Sequence, residues 1–265
     1  MKLTLIGAGA MGEALLAGWL AAGHRPEDLS VVEPSAERAA AVTATHGVRA
    51  VPLSEAAVAD VVVLAVKPHQ IDGVLAELSS RIEVPGNVPL VVSIAAGTPI
   101  AQLEAGLPEG AAVVRVMPNT PALVGQGMAG VVPGHRASAE QVEMVTALMD
   151  AVGRSIVIPE AQIDALTAVS GSGPAYLFYV ADAMIEAGVH QGLTRQQSSD
   201  LVVQTFVGSA ALLATGSRAA ELREQVTSPA GTTAAALRVL DDRGVRAAFL
   251  AAMEACAERG RAMAR

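Results

Sequence analysis

The stretch LTLIGAGAMG at residues 3–12 leaves the N-terminal part of this 265-residue chain very few folds to adopt. Four strand-forming residues run straight into Gly7, Gly9 and Gly12, and helix-forming sequence continues across Met11–Ala22. At a strand-to-helix junction, glycines in a G-x-G-x-x-G spacing have separate duties. The first permits a tight turn, the second lets backbone approach a pyrophosphate, and the third lets helix pack on strand. The helix start at Ala10 and Met11 then offers unpaired N–H groups to phosphate. On its own the spacing is weak. Here Glu33 closes the next strand-like run, LSVVE, 21 positions after Gly12. A ribose-binding carboxylate belongs there. Gly7, Gly9, Ala10, Met11, Gly12 and Glu33 are therefore expected to bind a dinucleotide.

Glu33 does not settle which dinucleotide. A carboxylate at that place accepts from the adenosine ribose and repels a 2′-phosphate, which favours NAD. Ser35 and Arg38 follow closely and could hold such a phosphate. The expected cofactor is NAD(P)H, with Ser35 among its contacts.

Beyond the loop, short β-branched runs alternate with helical sequence. LTLI (3–6), LSVVE (29–33), DVVVLAV (60–66), LVVSIA (90–95) and AVVRVM (112–117) are strand-like. Continuous apolar runs suit parallel strands buried on both faces, and strand–helix alternation means a doubly wound α/β sheet. After Pro159 the pattern changes to helices alone, with turns at 170–174, 188–194, 215–218 and 227–231. The expected architecture is a mostly parallel Rossmann-type domain over 1–158 and an all-α helical-bundle dimerisation domain over 159–265. A short hinge near Gly153–Pro159 separates them. Helices at Ala175–Ala187 and Asp200–Ala214 are apolar on nearly every face, so a partner subunit is expected to cover them.

Composition closes off several functions. The net charge is −8 and Lys and Arg do not cluster, which excludes the basic footprint of a nucleic-acid binder. Cys256 is the single cysteine. It can form neither an intrachain disulfide nor a cysteine metal site, and no His/Asp/Glu set has metal-ligand spacing. No run reaches the ~18 apolar residues of a membrane-spanning helix. The N-terminus superficially resembles a signal peptide, but its glycines and Glu13 argue against cleavage. A cytoplasmic protein without membrane partners is expected.

Four further motifs carry the reaction: AVKP (65–68), VMPNTP (116–121), SGSGPAY (170–176) and VTSPAGTT (226–233). With GAGAMG, and in this order from Met1 to about Ala262, they resemble the Δ1-pyrroline-5-carboxylate reductase family. The resemblance implies an NAD(P)H-dependent reductase that converts a cyclic imine carboxylate to L-proline, as homodimers that can assemble into a decamer. It implies that backbone around Gly231 and Thr232 grips the substrate carboxylate and that the Thr233 hydroxyl reaches the imine nitrogen. Residue chemistry is compatible with this: Ser228 reads as a helix N-cap and Pro229 as its first turn, which by itself is either a plain capped helix start, for which Ser-Pro is common, or a ready anion site. Ala230 departs from the second glycine usual in the family, and would be strained wherever φ must be positive.

The remaining motif residues are placed with less chemistry to guide them. Lys67 follows the most apolar strand, at the sheet edge where ligands bind. An electrostatic or water-positioning role is expected of it, with Ala65, Val66 and Pro68 beside the nicotinamide. His69 could serve as a general acid, yet the residues after it read as a helix start. Asn119, in a loop stiffened by Pro118 and Pro121, could hold the nicotinamide carboxamide or initiate a turn. Ser172 lies in a loop that the resemblance puts beside the substrate. Two rivals stay open: another imine, β-hydroxyacid or ketopantoate reductase, and a dinucleotide-binding protein without turnover. The hydroxyacid enzymes use a lysine of the second domain, and this chain has no Lys after Lys67.

Overall fold

The computed structural model describes residues 1–82 and 88–263. It forms two compact units, one of Met1–Ser172 together with the C-terminal residues from Cys256, the other of Gly173–Ala255. The first unit runs β1 (Leu3–Ile6), α1 (Ala10–Ala21), β2 (Leu29–Val32), α2 (Ala36–His46), β3 (Arg49–Ala50), α3 (Leu53–Ala56), β4 (Val61–Leu64) and α4 (Ile71–Ser79). It continues through β5 (Leu90–Ser93), α5 (Ile100–Ala105), β6 (Val113–Met117), β7 (Gly127–Pro133), α6 (Ala139–Asp150), β8 (Gly153–Val157) and α7 (Ile163–Leu166).

Among the described residues the strands form one sheet, ordered β3-β2-β1-β4-β5-β6-β7-β8. Neighbours are parallel except β6 and β7. Strand order reverses at β1, with β2 on one side and β4 on the other, so the ligand crevice of such sheets lies outside the carboxyl ends of β1 and β4. Successive residues face opposite ways. Leu3, Leu5, Val61 and Val63 pack with Leu15, Leu16 and Trp19 of α1 and Leu148 of α6. Ile6, Val62, Leu64 and Val91 pack with Ile71, Leu75 and Leu78 of α4 and Leu103 of α5. Helices on both faces explain why the strands read as unbroken apolar runs. Trp19 is fully buried, and its indole N–H donates to the Leu148 carbonyl at 2.9 Å.

All five strand-like runs fold as strands, and three more join them. β3 is two exposed residues long. Gly127 and Gly130 dilute the apolar run of β7. The expected hinge at 153–159 is instead strand β8 as far as Val157, an edge strand whose half-solvated residues gave no apolar pattern.

Arg115 is the one charged residue inside β6, and it is buried. Its Nη1 donates to Oε1 of Glu160 at 2.9 Å, and the same oxygen accepts the Ile100 N–H at 2.8 Å. Glu160 is half-exposed while Arg115 is buried, so removing the carboxylate leaves a buried charge that water only partly reaches. Glu160→Ala is therefore expected to destabilise the protein by about 1–2 kcal/mol, less than the loss of a partner from a fully buried pair. This would appear as a lower urea midpoint at an unchanged slope. Glu160→Gln, which keeps an acceptor, should lose clearly less.

The second unit holds α8 (Gly173–His190), α9 (Arg195–Ala214), α10 (Ala219–Gln225), α11 (Thr232–Asp242) and the first part of α12 (Val245–Met263). Helices α8 and α9 are longer at both ends, or at the N-terminal end, than their apolar cores indicated. Thr194 extends α9 by a capping box with Gln197. The two helices approach closely where Gly188 faces Ser198, whose hydroxyl donates to the Ile185 carbonyl at 2.8 Å. Leu177, Phe178 and Tyr179 on α8 and Leu201, Val203, Val207, Leu212 and Leu213 on α9 are exposed in the single chain. Apolar surface on this scale marks an interaction face.

Candidate active site

The glycine loop connects β1 to α1, and two of its glycines are required by close approach. Gly7 has φ 94°, and a Cβ there would lie 2.8 Å from the Ala65 carbonyl oxygen and 3.0 Å from Val66 Cγ1. A Cβ on Gly12 would lie 2.3 Å from the Gly7 carbonyl oxygen. The structure thus brings GAGAMG and Ala65–Val66 together at the point where strand order reverses. Gly9 is different, for a Cβ there would meet nothing within 4 Å. Gly9 is also the N-cap of α1, and no side chain caps the helix. Open space above an uncapped helix start is what a pyrophosphate needs, so these residues fit a dinucleotide.

Glu33 lies where a ribose-binding acid should, and it also holds the loop. Its Oε2 accepts the Ala8 N–H at 3.0 Å and its Oε1 the Ser35 N–H at 3.0 Å. Each oxygen keeps a lone pair for a further donor. The Ser35 hydroxyl caps α2, accepting the Arg38 N–H at 3.3 Å. Arg38 turns to the loop: its Nε donates to the Ala8 carbonyl at 2.8 Å, and its Nη2 pairs with Glu13. The His46 ring donates to the other Glu13 oxygen at 3.1 Å. That hydrogen bond, reinforced by Arg38 and opposed by partial burial, holds the Glu13 carboxyl below the usual carboxylate range. Sequence reasoning saw Glu13 only as a charge within an apolar run. The signal was that charge itself, standing one turn into a helix that packs on a sheet.

Lys67 follows β4 and is exposed, with Pro68 and His69 in a 3-10 turn that leads into α4. The Lys67 N–H donates to Gln70 Oε1 at 3.0 Å. Asn119 is buried, and its amide links three segments. Nδ2 donates to the Ser170 carbonyl at 3.0 Å and to the Ser170 hydroxyl at 3.3 Å, while Oδ1 accepts the Met128 N–H at 2.8 Å. Ser170 belongs to a π-helical turn, Thr167–Gly171, that continues α7. The expected turn at 170–174 is therefore partly helical. Ser172 follows, sharing a 3.3 Å hydrogen bond with the half-buried Cys256 thiol.

In the second unit, VTSPAGTT corrects one detail. Ser228 is not the N-cap and Pro229 is not in the first helical turn. Ser228–Gly231 form a turn closed by the Gly231 N–H on the Ser228 carbonyl at 3.0 Å, and α11 begins at Thr232 with Gly231 as N-cap. Pro at the second position and a positive φ at the third are the pattern of a type II turn, which asks for glycine at the third. Here that residue is Ala230, at φ 56°. No side chain caps α11, so the first-turn N–H groups that include Thr232 and Thr233 remain available to an anion. Thr233 is half-buried. A left-handed alanine costs about 1–2 kcal/mol, part of which glycine returns as chain entropy. Ala230→Gly is accordingly expected to stabilise the protein by about 0.5–1 kcal/mol in chemical denaturation.

Among the described residues, no three His, Cys, Asp or Glu side chains are grouped to hold a metal, and no helix is long and apolar enough to cross a membrane. Sheet order, glycine loop and Glu33 fit the class of dinucleotide-binding α/β proteins. Comparison with known proteins narrows this. Residues 2–97 match the family model for NADP oxidoreductase, coenzyme F420-dependent, and residues 160–263 that for pyrroline-5-carboxylate reductase dimerisation. A pyrroline-5-carboxylate reductase of Corynebacterium melassecola is 45% identical over 260 residues, 97% of this chain and 96% of its own. A solved reductase of the same kind from Coxiella burnetii has a TM-score of 0.94 at 35% identity, over 100% of this chain and 98% of its own. The Plasmodium falciparum pyrroline carboxylate reductase, solved with NADP bound, has a TM-score of 0.85 at 31% identity, over 100% and 98%. The chain belongs to the pyrroline-5-carboxylate reductase family. Its activity is pyrroline-5-carboxylate reduction on an NAD(P)-binding domain, and its dimerisation domain implies a homodimer.

Proposed function

We propose that the chain binds the carboxylate of Δ1-pyrroline-5-carboxylate at the N-terminus of α11 and reduces its C=N bond to give L-proline. One observation carries this reading: α11 starts without a side-chain cap directly after the VTSPAGTT turn. Backbone N–H groups at Thr232 and Thr233 hold the carboxylate, and the Ser228–Gly231 turn, closed by the Gly231 N–H on the Ser228 carbonyl, sets their direction. The Thr233 hydroxyl lies at the imine nitrogen and keeps a proton there, because a protonated C=N accepts electrons far more readily than a neutral one. The bound nicotinamide cofactor supplies the hydride. Carbon gains the hydride, the π electrons pass to nitrogen, and a secondary amine results. Orientation is then most of the catalysis left to the protein.

In the same reading Gly7–Gly12 cradle the pyrophosphate, Glu33 takes the adenosine ribose, and Ser35 lies beside it. Ala65, Val66 and Pro68 border the nicotinamide, while Lys67 positions water or charge at its edge. Asn119 acts through the Ser170 turn, and Ser172 lies on the substrate side. Glu33 favours NADH, since a carboxylate repels a 2′-phosphate. The functional division falls near Pro159, which the dimerisation match from residue 160 supports. Dimers assemble further into a decamer, which the native mass would report.

The test is oxidation of NADH and of NADPH with Δ1-pyrroline-5-carboxylate, with proline measured as product. Turnover without proline overturns the substrate reading, and a higher catalytic efficiency with NADPH overturns the preference.

A further inference from the structure

Ala8 is fully buried in the glycine loop, and side chains take both of its backbone groups. Glu33 accepts its N–H at 3.0 Å, and Arg38 Nε donates to its carbonyl at 2.8 Å. The Arg38 guanidinium is in turn paired with Glu13, which stands in the first turn of α1, the helix that the loop opens. His46, in the last turn of α2, donates to the same carboxylate at 3.1 Å. One side chain therefore ties α2 to the loop and to the start of α1. A basic residue soon after the second strand is ordinarily read as the partner of a 2′-phosphate. Here its charge faces an ionised carboxylate and its Nε is committed to a buried acceptor.

We propose that Arg38, anchored by Glu13, is a positioning residue that fixes the Ala8 carbonyl and hence the path of the glycine loop, serving NADH and NADPH alike. The proposal rests on the reading of this loop as the dinucleotide site. It differs from a phosphate-ligand role in a measurable way. A ligand to the 2′-phosphate strengthens NADPH binding alone, whereas a residue that shapes the pyrophosphate cradle strengthens both.

The experiment compares the full-length protein with Arg38→Gln, Glu13→Gln and the double variant. Dissociation constants for NADH and NADPH come from nicotinamide fluorescence, and amide hydrogen exchange of residues 7–12 is followed without cofactor. Arg38→Gln should weaken both nucleotides about tenfold, leave their ratio within about twofold, and speed exchange in the loop. Glu13→Gln should do the same to a smaller extent, and the double variant should be no worse than Arg38→Gln, because groups acting as one unit are not additive. A loss confined to NADPH overturns the proposal, as do unchanged affinities with unchanged loop exchange. If Arg38→Gln does not fold, Glu13→Gln alone decides by the same two readouts. Failure of the wild type to bind either nucleotide would instead remove the reading of the loop itself.

Discussion

Thr233→Ala is expected to fold, to bind cofactor as the wild type does, and to lose about 100-fold in kcat, the scale of one donor removed from a charge that changes during reaction. Thr233 is the second residue of α11. The substitution leaves the backbone N–H groups of the first turn where they are, so the hold on the substrate carboxylate survives. The KM for the imine should therefore rise much less than kcat falls, the pattern of an interaction made chiefly in the transition state. Thr233→Ser restores a hydroxyl at the same position and should recover most of the turnover. Steady-state kinetics on the three proteins decide the matter. A kcat for the alanine variant within about twofold of wild type removes the hydroxyl from the chemistry, while leaving the helix start as the carboxylate site.

That prediction draws on a motif that was legible in the sequence, and the parts that were not share a physical cause. GAGAMG and the five buried strands could be read because glycine spacing and apolar runs are local signals. Edge strand β8 escaped because half of it faces solvent, and β7 because two glycines interrupt it. The start of α11 was misplaced by three residues. Ser-Pro is a common helix opening, and only the chain geometry shows that Ser228–Gly231 first close a turn with Ala230 at positive φ. The network of Glu13, Arg38 and His46 joins residues up to 33 positions apart in sequence. The Asn119–Ser170 link spans 51. Pairings over such distances are decided by packing of the sheet and its helices, and residue spacing does not encode them. Arg115 is an intermediate case. A charge inside a strand buried on both faces requires a partner, but which carboxylate supplies it follows only from the fold.

The glycine loop offers a comparison in which two apparently equivalent substitutions should behave differently. Gly12→Ala places a methyl group 2.3 Å from the Gly7 carbonyl oxygen, a backbone atom at the end of β1 that cannot swing aside. Helix α1 must move away from the sheet, loosening Leu15, Leu16 and Trp19, which are fully buried between them. Forcing atoms into a packed core costs about 1–3 kcal/mol. Gly12→Ala should therefore lose both stability and nucleotide affinity. Gly9→Ala meets no heavy atom within 4 Å, and its backbone, at φ −67° and ψ −179°, is extended and open to any residue. Its stability should stay within about 0.5 kcal/mol of wild type. Its NADH affinity should nevertheless fall at least ~10-fold, because the added methyl occupies the space through which backbone approaches the pyrophosphate. Thermal melts and NADH titrations of the two variants separate the effects. Wild-type NADH affinity in Gly9→Ala would mean that the open face of this loop is not the cofactor's seat. Wild-type stability in Gly12→Ala would mean that α1 does not press on β1 as closely as the 2.3 Å approach requires.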